Sequence, residues 1–178
     1  ETKDGKTTLK ASGGETVVIS GDTATGTKGD EKMFVYDRVN RKSSTLGKKT
    51  PKGAKILFGG KGADRFSDDK KLDGELLKEG VVSMDSFGDF TLHLEFRTPY
   101  KPKTKPGSQD RGNSGVYIFN NYETQILDSF GIKGEFNFCG ALYRKKPPAV
   151  NMCLPPLTWQ TYDIEFTTPR FKDGKKVK

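Results

Sequence analysis

The stretch Asp89-Phe-Thr-Leu-His-Leu-Glu-Phe-Arg97 has the most regular pattern in the chain. Its apolar residues occupy every second position: Phe90, Leu92, Leu94 and Phe96. The positions between and after them are polar: Thr91, His93, Glu95 and Arg97. Because successive side chains of a strand point to opposite faces, this alternation predicts a β-strand with one face toward a core and one polar face.

Similar runs of β-branched and aromatic residues occur on both sides of this strand. They cover residues 16–20, 32–36, 80–84, 115–119, 122–127 and 160–166, and Gly or Pro loops separate them. A helix of normal length is nowhere evident. Several short strands between turn-rich loops are typical of an all-β protein, so we predict an antiparallel β-sandwich.

The 178 residues suggest one domain, or one domain with an appended piece. We predict a β-rich N-terminal segment over residues 1–40, which is too small to bury a core alone. Residues 41–54 are rich in Lys, nearly free of apolar residues and contain Pro51, which is a linker composition. The larger β domain then covers residues 55–178.

The net charge of +8 is concentrated in two places. The stretch from Arg38 to Lys55 contains seven basic residues and no acidic one, and the tail after Phe171 is rich in Lys. Nucleic-acid binding would need basic residues clustered on one folded element, so we expect no nucleic-acid partner. No apolar run approaches the ~18 residues of a spanning helix, and we expect no membrane span. The N-terminus shows no leader pattern, which leaves open a cytosolic protein or a processed one.

The polar positions of the predicted strands are rich in groups that bind ligands. They alternate in three strands: His93, Glu95 and Arg97; Glu123 and Gln125; Asp163 and Glu165. If these strands are neighbours, the polar side chains form a ligand-binding surface. The alternative is a solvated outer face with cross-strand ion pairs. Spacing alone leaves both possibilities open.

Cysteines and oxygen donors allow two further sites. Cys139 and Cys153 flank a Pro-rich loop, and either a disulfide or two buried free thiols fits that spacing. Carboxylate and amide oxygens in or beside Gly-rich loops suit a hard cation such as Ca²⁺. These residues are Asp110, Asn113, Glu123, Asp128 and Glu135.

Six motifs, in order, resemble the 3-keto-disaccharide hydrolase family. They lie at residues 87–97, 111–117, 122–131, 139–143, 150–156 and 159–166, so the resemblance covers about residues 54–178. It implies a concanavalin A-like (laminin G-like) jelly roll that is usually exported, acts on oxidised glycosides and in some members needs a divalent metal. The family continues into further strands with an Asp-His-Gly motif, so we expect the jelly roll to be incomplete at the C-terminus. Asn120-Asn121 stands where the family often has an Arg beside a Gly.

The resemblance also implies roles for individual residues. Glu123, in the Tyr-Glu-x-Gln motif, is the expected general base or acid, with Glu95 and His93 as companions. The expected substrate-binding residues are Arg97, Arg111, Asn113, Tyr117, Gln125 and Trp159. Asp128 would bind hydroxyls or the metal. The extracytoplasmic context implied by the family favours a disulfide between Cys139 and Cys153.

The function implied is an exported carbohydrate-active protein, either secreted or periplasmic, that cleaves the glycosidic bond of 3-keto-glycosides. A ketone at sugar carbon 3 acidifies the hydrogen at carbon 2, so a base can start an elimination that water later completes. Two alternatives are a glycan-binding module without turnover and an extracellular structural or matrix protein. In the latter, self-assembly or contact of the Lys-rich linker with a polyanionic surface would be the main activity.

Overall fold

The computed structural model describes residues 1–59, 62–67 and 72–177. Every regular element in these ranges is a strand, and the pairing of all of them is antiparallel, which confirms the predicted all-β class. The strands are β1 (Thr2–Lys3), β2 (Lys6–Lys10), β3 (Glu15–Ser20), β4 (Thr23–Lys28), β5 (Glu31–Asp37), β6 (Leu72–Asp73), β7 (Leu76–Leu77), β8 (Phe90–Phe96), β9 (Ser114–Ile118), β10 (Tyr122–Ile126), β11 (Gln160–Phe166), β12 (Phe171–Lys172) and β13 (Lys175–Lys176). The strand predicted at 80–84 is wrong: that stretch makes only an isolated bridge between Ser83 and Phe66.

Residues Glu1–Arg41 form one compact unit. Its five strands pair in chain order, β1 to β5, as a meander joined by tight turns. At the turn between β1 and β2, Asp4 and Gly5 both have positive φ, which matches the twist of a two-residue hairpin. Gly26 in β4 is required by packing, because a Cβ there would lie 2.3 Å from the ring of Phe34.

Residues Lys42–Lys178 form the second unit. Two ribbons dominate it: β8 pairs with β11, and β9 pairs with β10. Residues 140–143 lie along the free edge of β10, where the Gln125 N–H donates to Ala141 O at 3.0 Å and the Tyr143 N–H to Glu123 O at 2.9 Å. Two short hairpins, β6–β7 and β12–β13, complete the described strands.

Apolar side chains of both ribbons meet in one core. Phe96, Cys139 and Cys153 are its buried residues. The partly buried residues packed on them come from both ribbons: Leu94, Ile126 and Tyr162. The alternation over 90–97 therefore places its apolar face as predicted, in the interior of a two-layered β structure.

Residues 41–54, which the sequence predicts to be a linker, make hydrogen bonds to β11. Ser43 Oγ accepts the backbone N–H of Thr161 at 3.1 Å, and Thr45 Oγ1 lies 2.8 Å from Thr161 Oγ1. The compact units divide after Arg41, whereas a separate linker over 41–54 stays a prediction. No helix in the described part of the chain is long and apolar enough to cross a membrane.

Candidate functional site

Glu123 and Tyr117 form the centre of the polar face of the β9–β10 ribbon. They lie directly opposite each other in the antiparallel register, and the Tyr117 hydroxyl donates to Glu123 Oε2 at 2.7 Å. This hydrogen bond to the carboxylate raises the pKa of Tyr117 above its ordinary value. Glu123 is only 8% exposed and Tyr117 is 60% exposed, so the phenol is the more accessible partner of the pair.

Gly115 makes room for the Glu123 carboxylate. A Cβ at Gly115 would lie 2.3 Å from Glu123 Oε1 and 2.6 Å from its Cγ, which no side chain can tolerate. Gly115 is the β9 residue paired with Gln125, next to Glu123 on the same face. The missing side chain lets the carboxylate lie flat across β9, within reach of Tyr117.

A cluster of amides continues this face. Gln125 is fully buried, and its Nε2 donates to Gln109 Oε1 at 3.0 Å and Asn113 Oδ1 at 3.2 Å. A third acceptor, Asn137 O, lies 3.3 Å away. Asn113 is exposed, and because its Oδ1 accepts from Gln125, the other end of its amide is the N–H₂ donor group.

Arg111 is held by three acceptors on neighbouring loops. Its guanidinium pairs with Asp128, whose side chain is 1% exposed, and donates to Lys101 O at 3.1 Å and Thr104 O at 2.8 Å. These contacts join the loop that precedes β9 to Asp128, just after the end of β10. Arg111 therefore contacts the chain itself through its guanidinium, at the loop before β9 and at Asp128.

Asp128 does not offer a free carboxylate to a metal ion. Its Oδ2 pairs with Arg111, and its Oδ1 accepts the N–H of Phe130 at 3.3 Å. Within the described ranges no group of three or more His, Cys, Asp or Glu side chains is arranged to hold a metal. Asp128 therefore does not fit the role of a metal ligand, and calcium binding elsewhere stays a prediction.

His93 and Glu95 lie on the polar face of the other ribbon, β8–β11. His93 Nδ1 is 2.9 Å from Oδ1 of Asp163, the residue directly opposite it in the register. His93 Nε2 is 3.5 Å from Glu95 Oε1. On this ribbon the polar side chains form cross-strand contacts, as in the outer-face alternative considered for the sequence.

Residues 43–47 contact the same polar face. Thr45 donates to Asp163 Oδ2 at 2.6 Å, and the Gly47 N–H donates to Glu95 Oε1 at 2.6 Å. The hydrogen bond from Thr45, followed by that from His93, lowers the pKa of Asp163. Both carboxylates are therefore engaged by the chain itself.

Arg97 and Trp159 extend this second face. The Arg97 guanidinium lies 5.4 Å from the Trp159 ring centroid, a cation–π contact at the end of the β8–β11 pairing. Arg97 continues the alternate positions of His93 and Glu95, so this contact lies on the same face as they do. Tyr117, Asn113 and Gln125 lie with Glu123 on the other ribbon.

The structure does not bring the two groups of predicted site residues together. Leu94 and Ile126 alternate with His93 and Gln125, respectively, and pack in the same core cluster. The two polar faces therefore point away from a shared interior. The structure therefore places His93 and Glu95 on one ribbon and Glu123 and Gln125 on the other, and a site shared by all four stays a prediction. An even period gives each strand a polar face but not the layer to which it belongs.

Cys139 and Cys153 are both buried, free cysteines in this structure, so it does not contain the predicted disulfide. Their thiols are neighbours: the hydrogen bond between them lowers the pKa of Cys139 and raises that of Cys153. Cys139 Sγ also lies 3.2 Å from the Tyr162 hydroxyl, which receives the Gly140 N–H at 2.7 Å. A bridge between the two cysteines stays a prediction.

Several residues of the Glu123 face escaped the sequence argument. Gln109 and Asn137 lie on loops, where no periodicity indicates that their amides contact Gln125. Gly115 lies inside a predicted strand, and a Gly at such a position indicates close approach of another group. Asp163 followed the polar alternation but was not singled out as the partner of His93.

The fold and the Glu123 face define a class: a two-layered antiparallel β domain that presents a mostly buried carboxylate beside a phenol and a cluster of amides. The chain belongs to the 3-keto-alpha-glucoside-1,2-lyase-like domain family, which it matches over residues 53–177. It is also similar to a solved structure described as "a putative glycosyl hydrolase from Parabacteroides distasonis ATCC 8503". That similarity has 26% identity and a TM-score of 0.55, covering 82% of this chain and 68% of the other. No curated protein matches this chain significantly.

Proposed function

We propose that this carbohydrate-active protein cleaves the glycosidic bond of 3-keto-glycosides by elimination followed by addition of water, with Glu123 as the general base. The observation that carries the proposal is the Glu123 carboxylate, 8% exposed and hydrogen bonded to Tyr117, on the polar face of a domain of this family. A base on a sheet face beside donors for hydroxyl groups suits proton abstraction from a sugar ring.

The chemistry requires one proton to leave carbon 2. The ketone at carbon 3 stabilises the resulting carbanion as an enolate, so a carboxylate is a sufficient base. The amide nitrogen of Asn113, which Gln125 holds in place, is suited to donate to a sugar oxygen on this face. Gln125 itself is fully buried and acts as a positioning residue.

His93 and Glu95 have no part in this proposed step. His93 Nδ1 is held by Asp163 and Glu95 Oε1 by the Gly47 N–H, on the face that points away from Glu123. Arg97 and Trp159 belong to that second face and are proposed as a separate sugar contact, in which Trp159, 37% exposed, stacks on a ring.

The experiment compares a 3-keto-glucoside with the parent glucoside that has a hydroxyl at carbon 3. We expect turnover of the keto sugar only. The keto sugar with deuterium at carbon 2 should react more slowly, because the C–H bond breaks in the proposed step. Equal rates for the keto and parent sugars, or turnover of neither, would contradict the proposal; binding of glycans without turnover would favour the glycan-binding alternative.

We further propose that the protein functions outside the cytoplasm and that its basic stretch around Lys48 and Lys49 contacts polyanionic surfaces. The adjacent thiols of Cys139 and Cys153 support the first point, since such a pair can be oxidised to a bridge where disulfides persist. The charge of the stretch supports the second. Retention of the protein on heparin that persists after Lys48→Glu and Lys49→Glu together would contradict it.

A further inference from the structure

We propose that Tyr117 is the general acid of this reaction and protonates the glycosidic oxygen as its bond to carbon 1 breaks. The inference rests on the function proposed above and adds a second catalytic residue to Glu123. An alkoxide is a poor leaving group, so an elimination that releases a sugar alcohol needs a proton donor next to the base.

The geometry favours Tyr117 over Arg111 and His93, the other expected site residues with acidic protons. Its hydroxyl is 2.7 Å from Glu123 Oε2, and the cross-strand register fixes both side chains on one face. Tyr117 is also the exposed member of the pair, so a substrate that reaches Glu123 meets the phenol. Arg111 is engaged with Asp128 and two carbonyl groups, and His93 lies on the opposite layer.

The proposed step balances within this pair. Glu123 takes the proton from carbon 2, and the electrons of the C–H bond form the double bond between carbons 1 and 2. The C1–O bond breaks, and its oxygen takes the proton of the Tyr117 hydroxyl. The protonated Glu123 then returns its proton to the Tyr117 phenolate across their hydrogen bond, which restores both side chains without an external acid or base.

The same contact can be explained by a simpler role, in which Tyr117 only holds Glu123 in place. The two roles differ in their dependence on the leaving group. A positioning residue affects proton abstraction from every substrate, whereas a general acid matters only where the departing oxygen needs a proton. Leaving-group dependence is therefore the informative measurement.

The test uses Tyr117→Phe and two 3-keto-glucosides, one with an alkyl alcohol and one with 4-nitrophenol as leaving group. We expect kcat on the alkyl glycoside to fall about 100-fold, while kcat on the nitrophenyl glycoside stays nearly unchanged. Tyr122→Phe is the matched control, because Tyr122 is the β10 neighbour of Glu123 and points to the other face. It should leave both rates unchanged.

Equal losses on both substrates would overturn the proposal in favour of a positioning role, and so would no loss on either. The same leaving-group pattern in Tyr143→Phe, rather than in Tyr117→Phe, would also overturn it, since Tyr143 is the other phenol close enough to affect Tyr117. Each of these results leaves the proposed function intact. A wild-type protein that turns over neither substrate would instead overturn the proposed function itself.

Discussion

The two ribbons of the second unit have the same sequence pattern and different surroundings. On β8–β11, His93 and Asp163 pair across the strands, and residues 43–47 hydrogen bond to the carboxylates. On β9–β10, the Glu123 carboxylate accepts a hydrogen bond from Tyr117 and lies against Gly115. Alternation creates a polar face in both cases, but the contacts on the two faces differ. The carboxylates of β8–β11 are partly exposed and are engaged by His93 and by residues 43–47, whereas the Glu123 carboxylate is 8% exposed and hydrogen bonded to one phenol.

The largest expected effect is on kcat, and it should appear only in variants of the β9–β10 face. Glu123→Gln should lower kcat on a 3-keto-glucoside by about 10³-fold or more, since the amide keeps the shape and loses the base. Glu95→Gln is the matched variant on the other ribbon, and its kcat should stay close to wild type. Steady-state kinetics of the two variants measures this. Similar losses in both would mean that the faces act together, contrary to the placement described above.

Removing the charge that neutralises Asp128 tests how far the Glu123 face depends on its loops. Arg111→Met leaves a carboxylate that is 1% exposed without its partner, and we expect the free energy of unfolding to fall by about 3–5 kcal/mol. Urea denaturation measures it. Arg170→Met breaks an exposed pair with Asp89 and is the control, with little expected change. Equal stabilities of the two variants would show that the Arg111 pair is dispensable.

Oxidation of Cys139 and Cys153, which lie in the core between the ribbons, is expected to have the next largest effect on stability. If Cys139 and Cys153 form a bridge, the closed loop should raise the free energy of unfolding by about 3 kcal/mol relative to the reduced protein. Intact mass with and without a reductant shows whether the bond forms, and thermal melts show its effect. Cys153→Ser should abolish both differences. A wild-type protein that stays reduced under a disulfide oxidant would refute the bridge.

The smallest effect concerns the contact between residues 43–47 and β8–β11. Thr45→Val removes the hydrogen bond to Asp163, and we expect a loss of about 1 kcal/mol at neutral pH, where the carboxylate is ionised. Because the pKa of Asp163 is lowered from 3.8, its contribution is present above that pH and is lost as the pH falls through the lower folded value. The stability difference between variant and wild type should therefore shrink in acid. Activity on a 3-keto-glucoside should not change.

Thr91→Val is the control for this last measurement. Thr91 lies on the same polar face, but its hydroxyl makes none of the hydrogen bonds to residues 43–47 described above. A difference in stability that stays constant from neutral to acid pH in Thr45→Val would show that Asp163 is not the group responsible.

Strand formation was predictable because it depends on local alternation. The period of two over 90–97 gave the core face of β8, and the polar face followed from it. The pairing of β8 with β11 was not predictable from spacing, since its partners lie 70 residues apart. The layer assignment of each ribbon depends on such pairings, so the division of the predicted site between two faces could not be read from the residues alone.

Residue identities in the Glu123 site were only partly predictable. The motif around 122–125 identified Glu123 and Gln125, whereas Gln109 reaches the site from a turn outside the strands. Residues 41–54 show that the reverse also occurs, since contacts form where composition predicts none. Its composition is that of a linker, yet single hydroxyl and amide groups at Ser43, Thr45 and Gly47 find specific acceptors and donors on a distant ribbon. Composition averages over such individual contacts.

The unequal spans of the two ribbons have a consequence for the order of folding. Tyr117 and Glu123 are six residues apart, whereas His93 and Asp163 are 70 apart. Closing the longer loop carries about 2 kcal/mol more entropic cost, so the β9–β10 hairpin is expected to form before β8 meets β11. The hairpin that carries the proposed acid and base would then act as an early local nucleus, and the more distant ribbon, with residues 43–47 upon it, would dock late in the folding reaction.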